Sequence, residues 1–231
     1  MPDPIPFVRL RARLAVLLGC LVHLAIASGA AADSVGRWTI GLEGSLLSPQ
    51  GDRAAFAAPG EAEGTATFGI DGDGSGWGIG VEYGFTRRLA VELAVSSFDL
   101  DARVEIGSGA GPGASTIEST SFEVFLLGLD WHPMPDRRLD WSLGAFVAQS
   151  KLDDVVVSAG APGPGKLTFD DDHGFGVKLG LGWTLGPGSR WKVTGELRYL
   201  QTILETDSAA ADLDLDPVIF SLGFAYRLGG G

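Results

Sequence analysis

What most constrains the fold of this 231-residue chain is a period of two that returns eight times along it. Phe175, Val177, Leu179, Leu181 and Trp183 alternate with Gly174, Gly176, Lys178, Gly180 and Gly182. The same alternation runs through Trp38/Ile40/Leu42, Trp77/Ile79/Val81/Tyr83/Phe85, Leu89/Val91/Leu93/Val95 and Phe125/Leu127/Leu129/Trp131. It returns in Trp141/Leu143/Ala145/Val147, Trp191/Val193/Leu197/Tyr199 and Val218/Phe220/Leu222/Phe224/Tyr226. A repeat of two places one set on each face of a strand, and no helical period competes with it.

The apolar face of all eight segments is free of charge. A lysine or arginine on a lipid-facing strand costs roughly 2–4 kcal/mol at the bilayer midplane, whereas a soluble sheet tolerates one. Each segment is about 9–12 residues long, which spans the hydrocarbon when tilted near 45°. Beyond residue 32 no apolar run approaches about 18 residues, so a membrane crossing by this chain is made by strands. Strands in lipid must close on themselves to satisfy their edges. The expected architecture is all-β, an eight-stranded antiparallel transmembrane β-barrel.

Short and long connections alternate. Thr86-Arg87-Arg88, 133–138 and 186–190 are tight and basic, while 48–74, 101–119, 150–170 and 205–214 are long and rich in Gly, Ala, Pro, Asp and Glu. Barrels of the bacterial outer membrane have short periplasmic turns and longer extracellular loops, which puts both termini in the periplasm. Trp131 and Trp141 flank one short turn, Trp183 and Trp191 another, and Trp38 opens the first strand. Indoles settle at the membrane interface, so these five are expected in a periplasmic aromatic girdle, with Trp77 at the opposite rim.

The N-terminus reads as an export signal. Arg9, Arg11 and Arg13 precede an apolar run over 14–27 and then Ala30-Ala31-Ala32, which predicts cleavage after Ala32 and a mature barrel over 33–231. The rival is a lipoprotein cut before Cys20 at Leu17-Leu18-Gly19-Cys20, which leaves an apolar stretch of only about five residues against the usual 7–15. Because the signal carries three arginines and one aspartate, its removal takes the net charge from −12 to −14. A chain that acidic is a poor partner for nucleic acid. Cys20 is the only cysteine, which excludes a disulfide framework.

The order of features resembles the OmpW family of small outer-membrane barrels over essentially the whole mature chain. The resemblance rests on Leu47-Ser48-Pro49 closing the first strand, and on Gly80-Val81-Glu82-Tyr83-Gly84-Phe85 leading through a short turn to Leu89-Ala90-Val91-Glu92-Leu93. It rests also on Asp216-Pro217 entering a last strand that ends Gly223-Phe224-Ala225-Tyr226-Arg227-Leu228, with Leu228 where a terminal phenylalanine is usual. It implies an eight-stranded barrel with an apolar lumen, associated with passage of small hydrophobic molecules.

On the inward face the alternation places Glu43, Glu82, Glu92, Asp130, Lys178, Lys192, Glu196, Arg198 and Arg227. Charges in so narrow a lumen must be paired or solvated. They form either a structural ion-pair network or the lining of a conducting path, and a hairpin centred on Pro187 would set Lys178 opposite Glu196. Farther along, the inward positions Val124, Leu126, Phe146, Leu200 and Ile219 are apolar, which is unusual for such a lumen. They form either a small pocket for an apolar ligand or a solid packed core, unless a bulge slips the register and turns them outward.

No catalytic set is expected. His132 and His173 stand in connections with no assembled nucleophile and base, so the chain reads as no enzyme. Asp71, Asp73 and Asp170-Asp171-Asp172 offer hard oxygen ligands without the spacing of a calcium loop, and no metal or cofactor is expected. Two functions remain: a narrow channel or carrier for small hydrophobic molecules, and a structural or surface-interaction barrel with a plugged lumen. The partners expected for either are outer-membrane lipid and lipopolysaccharide.

Overall fold

A computed structural model describes residues 35–50, 54–57, 65–70, 72–108, 111–134, 138–157, 165–169, 172–204 and 213–228. The export signal and Cys20 lie outside them. The strands in chain order are β1 (Arg37–Ser48), β2 (Ala54–Ala57), β3 (Thr65–Ile70), β4 (Gly74–Gly84), β5 (Leu89–Ser108), β6 (Gly111–Trp131) and β7 (Leu139–Leu152). They continue as β8 (Val155–Val157), β9 (Gly165–Leu167), β10 (Asp172–Thr184), β11 (Trp191–Gln201), β12 (Ile203–Leu204), β13 (Leu213–Asp214) and β14 (Val218–Leu228).

Eight of these are the staves of a closed antiparallel barrel, in the order β1, β4, β5, β6, β7, β10, β11 and β14, with β14 returning to β1. Among the described residues no helix is long and apolar enough to cross a membrane. Parity holds all the way round. The outward side chains include Leu42, Leu127, Leu143, Val177, Leu179, Leu222 and Phe224, all exposed, while their sequence neighbours point into the lumen. An exposed apolar belt of this extent has lipid as its solvent.

The alternation outlives the membrane. The segment 101–119, expected as a loop, continues β5 and β6 as a paired ribbon to Ser108 and Gly111, with one irregularity between Ile106 and Ser108. The inward residues stay apolar, as Ala102 and Val104 show, but the outward face of β5 changes from Leu93 and Val95 to Asp99, Asp101, Arg103 and Glu105. That change marks where lipid ends and water begins. The other long connections carry smaller hairpins: β2 with β3, which docks along β5, then β8 with β9, and β12 with β13.

The β10–β11 register also differs from the sequence expectation. Gly186, Pro187, Gly188 and Ser189 form a turn closed by Ser189 N donating to Gly186 O at 3.1 Å, with Gly188 at φ 71°. Proline second and a left-handed glycine third are the chemistry of a type II turn. Arg190 is an extra residue on one side, so Leu185 meets Trp191 and the hairpin is centred on Gly188 and not on Pro187. Lys178 therefore stands opposite Arg198, and Glu196 opposite Gly180. The shift is by two residues, which leaves every side chain on its expected face.

Asp216-Pro217 has a structural use at the start of β14. Proline cannot donate to the ladder, and Asp216 turns its carboxylate to the neighbouring strand, accepting from Thr202 N at 3.2 Å and from the Tyr199 hydroxyl at 3.3 Å.

Candidate functional site

The lumen is stratified. Near the short turns lies a polar floor, above it a layer of ion pairs, and beyond that an apolar column that continues into the long hairpins.

The apolar column holds all five residues singled out from the sequence. Val124, Leu126, Phe146, Leu200 and Ile219 all point inward and are 0–5% exposed. They join Leu47, Phe98, Phe122 and Leu152 in one cluster that reaches Phe68, Phe169, Leu213 and Leu215 in the hairpin region. Phe146 sits across from glycine on both flanking strands, Gly128 on β6 and Gly176 on β10. A Cβ at Gly176 would fall 2.3 Å from Phe146 Cζ and 2.2 Å from Tyr199 O. The ring lies where those side chains are missing. The glycines of β10 look like mere spacers in sequence, yet they decide how this aromatic is seated.

The ion-pair layer gathers Glu43 from β1, Glu92 from β5, Asp130 from β6, Lys178 from β10, and Glu196 and Arg198 from β11. Lys178 Nζ donates to Glu92 and lies 2.9 Å from Asp130 Oδ2 and 3.9 Å from Glu196 Oε2. Arg198 donates to Glu43 Oε1 at 2.6 Å and to Glu196 Oε2 at 2.5 Å, and approaches Glu92 Oε1 at 3.6 Å. Glu92 and Glu196 each touch both cations, so the layer is one network. Arg198, at 2% exposed, fills much of the axis. Ion pairs so deep are stable only when each charge has a partner, and here two cations serve four carboxylates, each of which pairs directly with one of them.

The floor is built from Glu82, His132, Asp140 and Lys192. His132 joins Asp140 Oδ2 through Nδ1 at 3.0 Å and Glu82 Oε2 through Nε2 at 3.3 Å, while Lys192 reaches the same Asp140 oxygen at 3.3 Å. His132 stands in the turn beyond β6. Burial opposes its charged form, but the hydrogen bonds and charges of Asp140 and Glu82 outweigh that and hold it up at about 10. Pro133 after it, and the absence of a nearby second histidine in sequence, hide this role; the pairing across two strands creates it. Together these residues partition two cavities, a chamber of about 80 Å³ against the ion-pair layer and a vestibule of about 50 Å³ at the short-turn mouth, where Arg227 and Arg37 lie.

On the outer wall Trp131, Trp183 and Trp191 are exposed near the short turns, Trp141 meets Trp131 edge-on at 6.0 Å, and Trp77 is exposed toward the other rim. Trp38 stands at the short-turn end of β1 but is covered by a neighbour. It is only 8% exposed, with the Tyr83 ring of the paired strand tilted against it at 39° and the ring centres 4.6 Å apart. His173 and Asp73 are exposed, and Asp172 is half-buried; Asp71, Asp170 and Asp171 lie outside the described residues.

Residues 17–227 match the family described as outer membrane protein beta-barrel domain. No curated protein matches the chain. Among solved structures, the outer membrane protein OprG from Pseudomonas aeruginosa superposes with a TM-score of 0.66 at 16% identity, over 86% of this chain and 99% of that one. The outer membrane protein AlkL, solved in lipid bilayers, gives a TM-score of 0.55 at 18% identity, over 87% and 94%. Both are OmpW-like small barrels of eight strands, so the resemblance carried by the Gly80–Leu93 hairpin and the Asp216-Pro217 entry holds at the level of the fold.

Proposed function

Since the chain belongs to the outer membrane protein beta-barrel family, and so to the bacterial outer membrane, we propose that it is a narrow channel or carrier that admits small hydrophobic molecules from the long-hairpin end. The observation that carries this reading is the apolar column. Lumens of such barrels are normally polar, whereas this one is apolar from Phe146 to Leu215. An apolar solute gains roughly 25 cal/mol for each Å² it removes from water, so a column that parts to admit one has a driving force without any specific contact. The short turns face the periplasm in this reading, following the short-turn asymmetry of such barrels.

A second reading has its own support. The column is packed by its own side chains, and Arg198 with its carboxylates lies across the axis below it, as a structural barrel with a plugged lumen requires. Neither reading includes a catalytic step: His132 joins two carboxylates of the floor, and no hydroxyl or thiol nucleophile is hydrogen-bonded to it among the described residues.

Binding of a small fluorescent hydrocarbon to the refolded barrel separates the two. Phe146→Asp and Leu126→Asp should weaken binding and uptake of hydrophobic compounds while the heat-sensitive gel mobility of a closed barrel persists. Unchanged binding in these folded variants would remove the pocket and leave the plugged barrel as the reading.

A further inference from the structure

The most exposed charge is sorted by sign along the barrel, since the cations at the long-hairpin end, Arg103 and Lys151, are half-buried and paired with Glu105 and Asp153. At the short-turn end every exposed charged side chain among the described residues is arginine: Arg87, Arg88, Arg138 and Arg190. At the long-hairpin end Asp73, Asp99, Asp101, Asp153 and Asp154 are exposed. The chain carries a net charge of −12, so a ring of one positive kind runs against its composition.

Two of the turns hold arginines beside the aromatic girdle, Arg138 and Arg190, while the first turn holds Arg87 and Arg88 at the rim of the vestibule. Thr86 Oγ1 accepts from Arg88 N at 3.2 Å and Leu89 N at 2.9 Å, which folds the first turn tightly under the wall. Arg138 Nε donates to Thr184 O at 3.3 Å, and its guanidinium lies 5.2 Å from the centre of the Trp183 ring. Arg190 directly precedes the exposed Trp191 and anchors the last stave through its carbonyl, which accepts from Arg227 N at 2.8 Å. Indoles settle at headgroup depth, so guanidinium groups one residue beyond them lie at the level of lipid phosphates, which they match with paired donors.

We propose that this arginine collar binds the headgroups of anionic glycerophospholipids, of the phosphatidylglycerol class, in the leaflet around the short turns. The assignment to that leaflet rests on the orientation proposed above. The headgroup preference does not, and it is measured separately.

The protein extracted from outer membranes into mild detergent is offered equal amounts of phosphatidylglycerol and phosphatidylcholine, and retained lipid is counted by native mass spectrometry. Wild type should retain several-fold more of the anionic lipid. Arg88→Gln/Arg190→Gln should lower that ratio by roughly 5-fold per arginine, as basic residues at an anionic surface do, whereas Asp101→Asn leaves it unchanged. If the double variant does not fold, the two single variants each carry one step of the same loss. Equal retention of both lipids by wild type, an unaltered ratio in the variants, or displacement of phosphatidylglycerol by an equal amount of lipid A would each overturn the proposal.

Discussion

Lys178 and Arg198 face each other directly on paired strands, two cations in the middle of a narrow barrel. Like charges across a ladder are unfavourable, and here they are reconciled by Glu92 and Glu196, each of which reaches both. The pairing is therefore stable only as a set. Lys178→Met leaves Asp130 and Glu92 buried without their nearest cation and should cost about 3–5 kcal/mol in urea unfolding from vesicles. The Lys178→Met/Asp130→Asn double variant should lose less than the two single changes together. Additive losses in that cycle would show that the two residues do not share an energy.

Gly176 should be almost as sensitive as any charge. An added methyl would meet Tyr199 O on the backbone as well as the Phe146 ring, so the strand itself must move. Gly176→Ala is expected to lower stability by about 1–3 kcal/mol, the range for overpacking. Adding Phe146→Leu removes the ring contact but leaves the backbone one, so rescue should be partial. Full rescue would show that the Tyr199 carbonyl gives way freely.

His132 should make stability fall at alkaline pH. Its folded value of about 10 lies above the ordinary 6.5, so the proton is bound more tightly in the barrel than in the unfolded chain. The contribution is complete below about 6.5 and is lost as pH rises from there toward 10, at no more than about 1.4 kcal/mol per pH unit. Unfolding measured between pH 6 and 10 should show this decline in wild type. The decline should be absent in His132→Gln, and an identical slope in that variant would assign it to another group.

Orientation is open to direct labelling. A cysteine placed at Asp101 should react with a membrane-impermeant maleimide on intact cells, and one placed at Arg88 only after the outer membrane is permeabilised. The reverse pattern would invert the barrel and move the arginine collar to the lipopolysaccharide leaflet.

The wall of the barrel was legible in sequence because lipid forbids charge on one face, and parity then carries every inward residue with it. Val124, Leu126, Phe146, Leu200, Ile219 and the charged set all lie inside for that reason. What parity leaves open is displacement along a strand. The two-residue turn Pro187-Gly188 and the extra residue Arg190 each moved the β10–β11 register by one, and together they exchanged the expected neighbour of Lys178. The length of β5 and β6 was hidden for a different reason: beyond the membrane the outward residues become Asp, Arg and Glu, which look like loop composition although the inward residues continue unbroken. Trp38 shows a third limit, since what covers an outward ring depends on its cross-strand neighbour, here Tyr83.

The seam where β14 meets β1 sets the timing of assembly. Trp38 pairs with Leu228, so the ladder that removes the last free edge joins the two ends of the described chain. Pairings of that sequence separation form slowly, and until this one forms the nascent sheet exposes two unpaired strands beside an apolar belt. A ribosome or a translocation pore still holding residues 218–228 therefore holds a chain that cannot complete itself, however well its first seven staves are paired. Shortening β14 should act first on the rate of insertion and on losses to proteolysis, with the finished barrel changed far less than the yield of chains that reach it.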